Sequence, residues 1–386
     1  MSVSAAQGFR AAGATAGLKD SGASDVALVV NDGPRSAAAA VFTSNRVAAA
    51  PVRWSRRVLS DGAARAVVLN SGGANAATGA QGQADARASA EHVASRLGLD
   101  SQDVAVCSTG LIGERLDMPR LLTGIDAAVD GLSEAGGDDA ARAIMTTDTV
   151  PKQAVSRAEG YVLGGMAKGA GMLAPGLATM LCVLTTDADL PADVLQACLR
   201  EAVRTTFDRT DSDGCMSTND TVLLLASGAA DHTPEPDEFT HRLREVCADL
   251  ARQLIADAEG ARHEIAVRVV GAATEPAAEA VARAVTRSNL FKTAVFGQDP
   301  NWGRVISAVG TVPESVAAFD ADALDVWFNG VRVCRAGGVG EPRDGVDLTG
   351  RQVQVVIDLH AGDAEATIWT NDLTHDYVHE NSAYST

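Results

Sequence analysis

The chain has 386 residues, of which 46% are hydrophobic and 21% are charged, the composition of an ordinary soluble globular protein. Its formal net charge of −18 argues against a nucleic-acid-binding protein, which would carry a basic surface. No apolar run is long enough to span a membrane, and the first residues include no apolar signal segment. The six cysteines are scattered without a Cys-x-x-Cys pair, which favours reduced thiols and a cytoplasmic protein.

The first part of the chain predicts an alternation of short strands and helices. Apolar runs bounded by Gly, Asn and Ser predict strands at 26–30, 37–42, 66–69 and 103–107, and helical composition marks 80–97, 118–132 and 138–145. The fourth strand runs into Ser108-Thr109-Gly110, a small polar turn that can present a hydroxyl and backbone N–H groups at one point. On its own, the same tripeptide is an ordinary turn.

The stretch from Tyr161 to Leu181 is rich in glycine and is predicted to be an irregular loop. Its five glycines and Pro175 favour backbone conformations that residues with a Cβ avoid. An apolar segment follows and predicts a buried strand that begins at Thr179. No neighbour in the sequence can take the proton of the Thr179 hydroxyl, but a free α-amine with a pKa of about 8 can act as its base. That chemistry requires the bond between Ala178 and Thr179 to be cut; otherwise the segment is a loop that enters a core strand.

Longer helices and a final sheet are predicted after the glycine-rich stretch. Helical spacing of apolar residues marks 191–206, 236–257 and 276–287. Short apolar runs predict strands at 222–226, 267–270, 324–328, 331–334, 353–359 and 366–370. The last four of these strands indicate a smaller, mostly antiparallel domain at the end.

Several motifs resemble those of one enzyme family. The segment Lys-Gly-Ala-Gly-Met at 168–172, followed by Pro175 and by Ala-Thr-Met-Leu at 178–181, is similar to the self-cleavage signature of the ornithine acetyltransferases, or glutamate N-acetyltransferases. A second motif, Phe-Gly-Gln-Asp-Pro-Asn-Trp-Gly-Arg at 296–304, also resembles the family, and the similarity extends from Phe42 to the C-terminus. The resemblance implies an α/β fold, an α+β layered sandwich of sheets and helices of the ornithine acetyltransferase/DmpA-like, N-terminal-nucleophile type.

The resemblance also implies site residues. Family members cut themselves before the matching threonine, which here divides the chain into 1–178 and 179–386, with the cut between Ala178 and Thr179. Thr179 then carries the acetyl group, and Thr109 with Gly110 forms the oxyanion hole. The residues that match the family's substrate contacts are Thr146, Lys168, Thr179, Glu259, Asn381 and Thr386.

The implied reaction moves acetyl from N2-acetylornithine to glutamate through acetyl-Thr179, giving ornithine and N-acetylglutamate in arginine biosynthesis. Lys168 suits a substrate α-carboxylate, and Glu259 suits an amine. The protein itself carries the acyl group, so no cofactor and no metal are expected. Expected partners are these small molecules, acetyl-CoA as a further candidate donor, and the two self-cleaved chains in a heterotetramer with two copies of each; neither nucleic acid nor membrane is expected.

Other interpretations stay open. The same threonine with water as acceptor would make the enzyme an amidase or aminopeptidase, and a chain that never cleaves would be a binding protein without catalysis. A paralogue with another acyl acceptor is a third alternative, because a few positions depart from the family pattern. These positions are Gly73, Ala77, Cys215-Met216 and Arg262-His263.

Overall fold

The computed structural model describes residues 2–174 and 180–383. The protein folds into mixed sheets and helices. The predicted α/β class is confirmed. Within the described ranges the chain forms two units, one of residues 2–174, 180–208 and 215–257, the other of 209–214 and 258–383. In the part that the structure describes, no helix combines the length and apolar character needed to cross a membrane.

The first unit contains two sheets and a set of helices. Its strands are β1 (Phe9–Ala14), β2 (Val26–Asn31), β3 (Ala37–Phe42), β4 (Ala66–Ser71), β5 (Val104–Thr109), β6 (Lys152–Ala158), β7 (Tyr161–Lys168), β8 (Leu181–Thr186) and β9 (Thr221–Ala226). Its helices are α1 (Ala50–Val58), α2 (Gly79–Leu97), α3 (Met118–Asp130), α4 (Gly137–Ala143), α5 (Ala192–Arg204) and α6 (Pro236–Ala256).

The two sheets of the first unit pack face to face. One has the order β1-β2-β4-β5 and the other β3-β9-β8-β7-β6. Val29 and Leu69 of the first sheet share a core with Val183 and Leu223 of the second. Helices α1, α2 and α3 cover the outer face of the first sheet, and α5 and α6 pack on the second. The unit is therefore layered helix, sheet, sheet, helix, and every residue of β8 is buried in its middle.

The loop predicted from Tyr161 onward was wrong for its first part, because residues 161–168 form β7. Gly164 and Gly165 lie inside this strand, where they permit close packing rather than a turn. A Cβ on Gly164 would lie 2.1 Å from the Ser2 carbonyl oxygen, and one on Gly165 would lie 2.7 Å from Leu184 Cδ2. Composition alone does not distinguish glycines that allow turns from glycines that allow close approach.

The second unit is built on one sheet. Its strands are β10 (Glu264–Ala272), β11 (Asp325–Phe328), β12 (Val331–Arg335), β13 (Gly338–Val339), β14 (Gln352–Asp358) and β15 (Ala364–Asn371), and its helices are α7 (Glu275–Thr286), α8 (Asn289–Phe296), α9 (Trp302–Val309) and α10 (His375–Ala383). The order is β13-β12-β11-β14-β10-β15, antiparallel except for the pair β10 and β14. Val267 of β10, Val281 of α7 and Phe291 of α8 belong to one core.

Candidate active site

The parallel strands β4 and β5 end side by side, and the chain after each forms part of one turn region. Thr109 is the last residue of β5, is buried, and pairs in register with Ser71. The N–H groups of Gly72 and Gly73 both donate to the Thr109 carbonyl oxygen, at 3.0 Å each. The position of Thr109 is therefore fixed by backbone hydrogen bonds as well as by its strand.

Three buried side chains brace this turn region. The Ser108 hydroxyl donates to Asn70 Oδ1 at 2.6 Å, and Asn70 Nδ2 donates to the Gly73 carbonyl at 3.0 Å. Asn219 Nδ2 donates to the carbonyls of Ala74 at 2.6 Å and Ser108 at 2.8 Å. Such a satisfied buried network holds the backbone in one conformation before any ligand arrives.

Gly110 follows with a positive φ of +130°. A Cβ at this position would lie 2.5 Å from the Gly73 nitrogen, so the close approach requires glycine. Among the described residues, no acceptor is found for the Gly110 N–H. An uncommitted N–H beside a buried hydroxyl is what an oxyanion hole requires.

Lys168 contacts this turn from the second sheet. It is the last residue of β7, is 1% exposed, and its Nζ donates to Thr109 Oγ1 at 3.0 Å. In the register of the strands it pairs with Leu181, the first residue of β8. Two residues predicted from the family resemblance therefore contact each other, at the end of β7 that pairs with the beginning of β8.

Thr146 is linked to the same region through Asp148, a residue that the sequence did not single out. Asp148 Oδ2 accepts a hydrogen bond from the Thr146 N–H at 2.9 Å, and Oδ1 accepts one from the Gly169 N–H at 2.7 Å. Burial alone would raise the pKa of Asp148, but the charges of Lys168 and Lys152 and the hydrogen bonds outweigh it, so the pKa is lowered. Asp148 is therefore a buried anion between two predicted substrate-binding segments.

A second, nearly buried carboxylate completes this charge network. Lys152 Nζ lies 2.6 Å from Asp148 Oδ1 and 2.5 Å from Asp257 Oδ2, with the lysine side chain fully buried. Asp257 also accepts a hydrogen bond from the Thr149 N–H at 2.9 Å. In the sequence, only the spacing of Asp148 and Lys152 could have indicated this ion network. Asp148 lies in a loop and Lys152 in a strand, where such a spacing does not predict that two side chains form an ion pair.

Asp220 is a further group that sequence reasoning missed. It precedes β9, is 0% exposed, and its Oδ1 accepts a hydrogen bond from the Met180 N–H at 3.1 Å. Burial raises its pKa well above the ordinary range. The polar run Ser217-Thr218-Asn219-Asp220 before an apolar strand was the available signal.

The second unit contains its own pair of predicted residues. Asn381 Nδ2, on α10, donates to Glu259 Oε2 at 2.8 Å, and Glu259 is 8% exposed. The turn after Glu259 packs tightly on the start of α10, since a Cβ on Gly260 would lie 2.3 Å from the Tyr377 nitrogen. A nearly buried carboxylate with an amide beside it can bind an amine.

The remaining predicted site residues, Ala178, Thr179 and Thr386, lie outside the described residues, so their roles stay predictions. Within residues 2–174 and 180–383, no group of three or more His, Cys, Asp or Glu side chains is arranged to hold a metal ion.

Known proteins resemble this chain along its whole length. The model of the ArgJ family matches residues 10–386. The chain belongs to the ArgJ family. Two proteins described as arginine biosynthesis bifunctional protein ArgJ, from Streptomyces avermitilis and Streptomyces coelicolor, are 64% and 63% identical over 385 residues, covering 100% of this chain and of each relative. A solved ornithine acetyltransferase from Mycobacterium tuberculosis, complexed with ornithine, is 54% identical with a TM-score of 0.45, covering 47% of this chain and 96% of that chain.

This membership confirms the prediction from the sequence motifs that the chain belongs to the ornithine acetyltransferases. It also confirms the predicted enzyme class and pathway: this chain is an acyltransferase of arginine biosynthesis.

Two of the departures from the family pattern make contacts in the first unit. Gly73 belongs to the turn region at Thr109, where a side chain would meet Leu116 Cδ2 at 2.7 Å. Met216 forms an isolated bridge with Leu173, in the glycine-rich stretch.

Proposed function

We propose that this enzyme transfers acetyl from N2-acetylornithine to glutamate through an acetyl-Thr179 intermediate. The observation that carries the proposal is the buried contact of Lys168 Nζ with Thr109 Oγ1, beside the Gly110 N–H and in register with the start of β8. A cation, a hydroxyl and a backbone donor are the groups that an acyl transfer to a nucleophile near the start of β8 would need.

The nucleophile is produced by self-cleavage. Thr179 attacks the carbonyl carbon of Ala178, the resulting ester hydrolyses, and the products are chains 1–178 and 179–386. The new α-amine of Thr179 has an ordinary pKa of about 8, so a useful fraction is neutral and can take the proton of its own hydroxyl. That amine supplies the base that is missing from the neighbouring sequence.

The oxyanion of each tetrahedral intermediate is stabilised by Thr109 and Gly110. Lys168 donates its hydrogen bond to the oxygen of the Thr109 hydroxyl, which leaves the hydroxyl hydrogen available. A cation bonded to that oxygen polarises the O–H and makes it a stronger donor to a developing negative charge. Removing one such donor in other acyl-transfer enzymes costs about 3 kcal/mol of transition-state stabilisation.

Substrate binding uses charge on both functional ends of an amino acid. Lys168 and Thr146 bind the α-carboxylate, while Glu259, with Asn381 and the terminal Thr386, binds the side-chain amine of ornithine. Ornithine leaves after the first half-reaction, and the α-amine of glutamate then attacks acetyl-Thr179 to give N-acetylglutamate. Such an exchange follows ping-pong kinetics.

The further parts of the proposal concern assembly and context. The two cleaved chains stay together as a heterotetramer with two copies of each, in the cytoplasm. Acetyl-CoA serves as a second acetyl donor to glutamate, in agreement with the word bifunctional in the descriptions of the relatives.

Intact-mass spectrometry with N-terminal sequencing, on wild type and on Thr179→Ala, tests cleavage first. We expect two fragments from wild type, one beginning Thr-Met-Leu-Cys, and a single chain of 39.6 kDa from the variant. Transfer of labelled acetyl from N2-acetylornithine to glutamate tests the reaction. Release of free acetate at the same rate without glutamate would instead identify an amidase, and an uncut, inactive wild type would contradict the proposal.

A further inference from the structure

Self-cleavage, which belongs to the function proposed above, requires a proton transfer that the mature nucleophile cannot perform. The α-amine of Thr179 is part of a peptide bond until the chain is cut, so it cannot act as the base for its own release. The hydroxyl of Thr179 must lose a proton and the departing nitrogen must gain one. Another group must therefore move that proton in the uncut chain.

Asp220 is held at the peptide unit next to the cut. Its Oδ1 accepts the Met180 N–H at 3.1 Å, and this nitrogen is bonded to the carbonyl carbon of Thr179. The carboxyl is completely buried, and Asp220 is the residue immediately before β9, the strand that runs parallel to β8. Its second oxygen, Oδ2, is buried and has no hydrogen-bond partner among the described residues. A buried carboxyl oxygen that has no partner in the described part of the chain is unusual and calls for a functional explanation.

Burial favours the protonated form of the Asp220 carboxyl. Burial raises its pKa well above the ordinary value, and the Met180 N–H, the Ser217 hydroxyl and the charge of Lys168 oppose this only in part, while Asp208 adds to it. A protonated carboxyl has an O–H donor and a carbonyl acceptor on adjacent atoms. It can therefore give one proton and take another in the same step.

Asp148, a second buried carboxyl close to Lys168, already has hydrogen-bond partners for both of its oxygens. Both oxygens of Asp148 accept hydrogen bonds, from Lys152 and Gly169 on one side and from Thr146 on the other. Its pKa is lowered, because the nearby lysine charges outweigh the effect of burial, so it has no proton to give. Of these two carboxyls, Asp220 is the one whose surroundings favour the protonated form.

We propose that the Asp220 carboxyl relays the proton that moves from the Thr179 hydroxyl to the Thr179 nitrogen during self-cleavage. The Oγ1 of Thr179 forms a bond to the carbonyl carbon of Ala178, and the bond from that carbon to the Thr179 nitrogen breaks. Asp220 protonates the departing nitrogen and receives the hydroxyl proton, so the carboxyl is neutral before and after. The product is an ester between residues 178 and 179 and a free amine.

Hydrolysis of the ester completes the cut. The oxygen of a water molecule bonds to the carbonyl carbon of Ala178, and the bond from that carbon to Thr179 Oγ1 breaks. One water proton goes to Oγ1 and the other leaves with the new carboxyl group as it ionises. No oxidant, metal or other reactant is consumed.

The test measures the rate of cleavage in freshly made precursor of Asp220→Asn, Asp220→Glu and wild type. Asn has nearly the same shape and can still accept the Met180 N–H, but its amide cannot exchange protons as an acid. General acid–base catalysis contributes roughly 100-fold to 10,000-fold, so we expect cleavage of D220N to slow at least 100-fold. D220E keeps a carboxyl and is expected to cleave measurably faster than D220N.

The matched control is Asp187→Asn, a change at the other end of β8. Asp187 is also buried, and its carboxylate accepts the N–H groups of Gln7 and Val162 at 2.9 and 2.7 Å. Thermal melting compares folding, and D187N is expected to cleave at the wild-type rate. Wild-type cleavage in D220N, or equal loss in D220N and D220E, would overturn the relay. An uncut wild type would instead overturn the proposed function itself.

Discussion

At the scale of single residues, the backbone at Gly110 leaves no room for a side chain. Its φ is +130° and an added Cβ would lie 2.5 Å from the Gly73 nitrogen. We therefore expect Gly110→Ala to displace the turn that presents the N–H donor. Activity should fall at least 100-fold, the loss typical of removing one oxyanion donor. Steady-state rates of acetyl exchange on the folded variant measure this.

Gly113 provides a matched control for that substitution. It also has a positive φ, +88°, but nothing lies within 4 Å of an added Cβ. Gly113→Ala should therefore cost only the conformational strain of a left-handed alanine, about 1 kcal/mol of unfolding free energy, and keep most activity. Equal loss of activity in both variants would show that strain in this segment, and not the donor at 110, is responsible.

The site residues that the sequence predicted are those with a motif of their own. Thr109, Gly110 and Lys168 were identified by resemblance, and the structure brings them into one turn region. Asp148 and Asp220 were not predicted, because the role of a buried carboxyl depends on which groups the fold places beside it. Those partners are distant in sequence, such as Met180 for Asp220.

At the scale of elements, one buried ion network joins three segments of the first unit. Asp148 lies between α4 and β6, Lys152 begins β6, and Asp257 follows α6. Asp148 also accepts the N–H groups of Thr146 and Gly169, next to Lys168. The network therefore sets the positions of the segments that are proposed to bind the substrate carboxylate.

We expect Asp148→Asn to weaken substrate binding more than chemistry. An amide cannot balance the charge of Lys152. It has one acceptor oxygen, so its NH2 group would face either the Thr146 N–H or the Gly169 N–H, each of which requires an acceptor. KM for both N2-acetylornithine and glutamate should rise about 10-fold or more, equivalent to about 1.4 kcal/mol, with a smaller change in kcat. Steady-state kinetics in each substrate measure the two constants separately.

Asp257→Asn is the control for this substitution. It also removes a carboxylate from Lys152, but Asp257 contacts neither Thr146 nor Gly169 among the described residues. Both variants should lose unfolding free energy, by about 3 kcal/mol where one partner of a buried pair is removed. If KM rises equally in both, the effect is one of stability and Asp148 does not position the site.

Strands and helices were predicted best where their pattern is simple. The strands that became β2, β3 and β9 are continuous apolar runs, and the spacing of α6 is helical throughout. Strand β7 was missed because its glycines resemble those of a loop, and their close-packing role depends on Ser2 and Leu184. The local sequence indicates which secondary structure a segment favours. It does not show the packing partners that make a glycine necessary in a strand.

At the scale of the whole molecule, the proposed cut falls between two strands that pair with each other. Strand β7 would belong to chain 1–178 and β8 to chain 179–386, and they pair from Leu163 with Thr186 to Lys168 with Leu181. Strands β8 and β9, from the second chain, lie between β3 and β7 of the first. The sheet thus contains strands of both chains, with the two strands of the second chain between those of the first.

We expect the two cleaved chains to remain associated after the cut. Separating them would break the ladders of β3 with β9 and β7 with β8 and expose buried strands on both faces. An affinity tag placed before residue 1 should therefore retain chain 179–386 through native washing and release it only in denaturant. Because unfolding of the cut enzyme releases two separate chains, its midpoint should also rise with protein concentration, more than that of uncut Thr179→Ala. Loss of chain 179–386 in native buffer would show that this interleaved sheet does not hold the chains together.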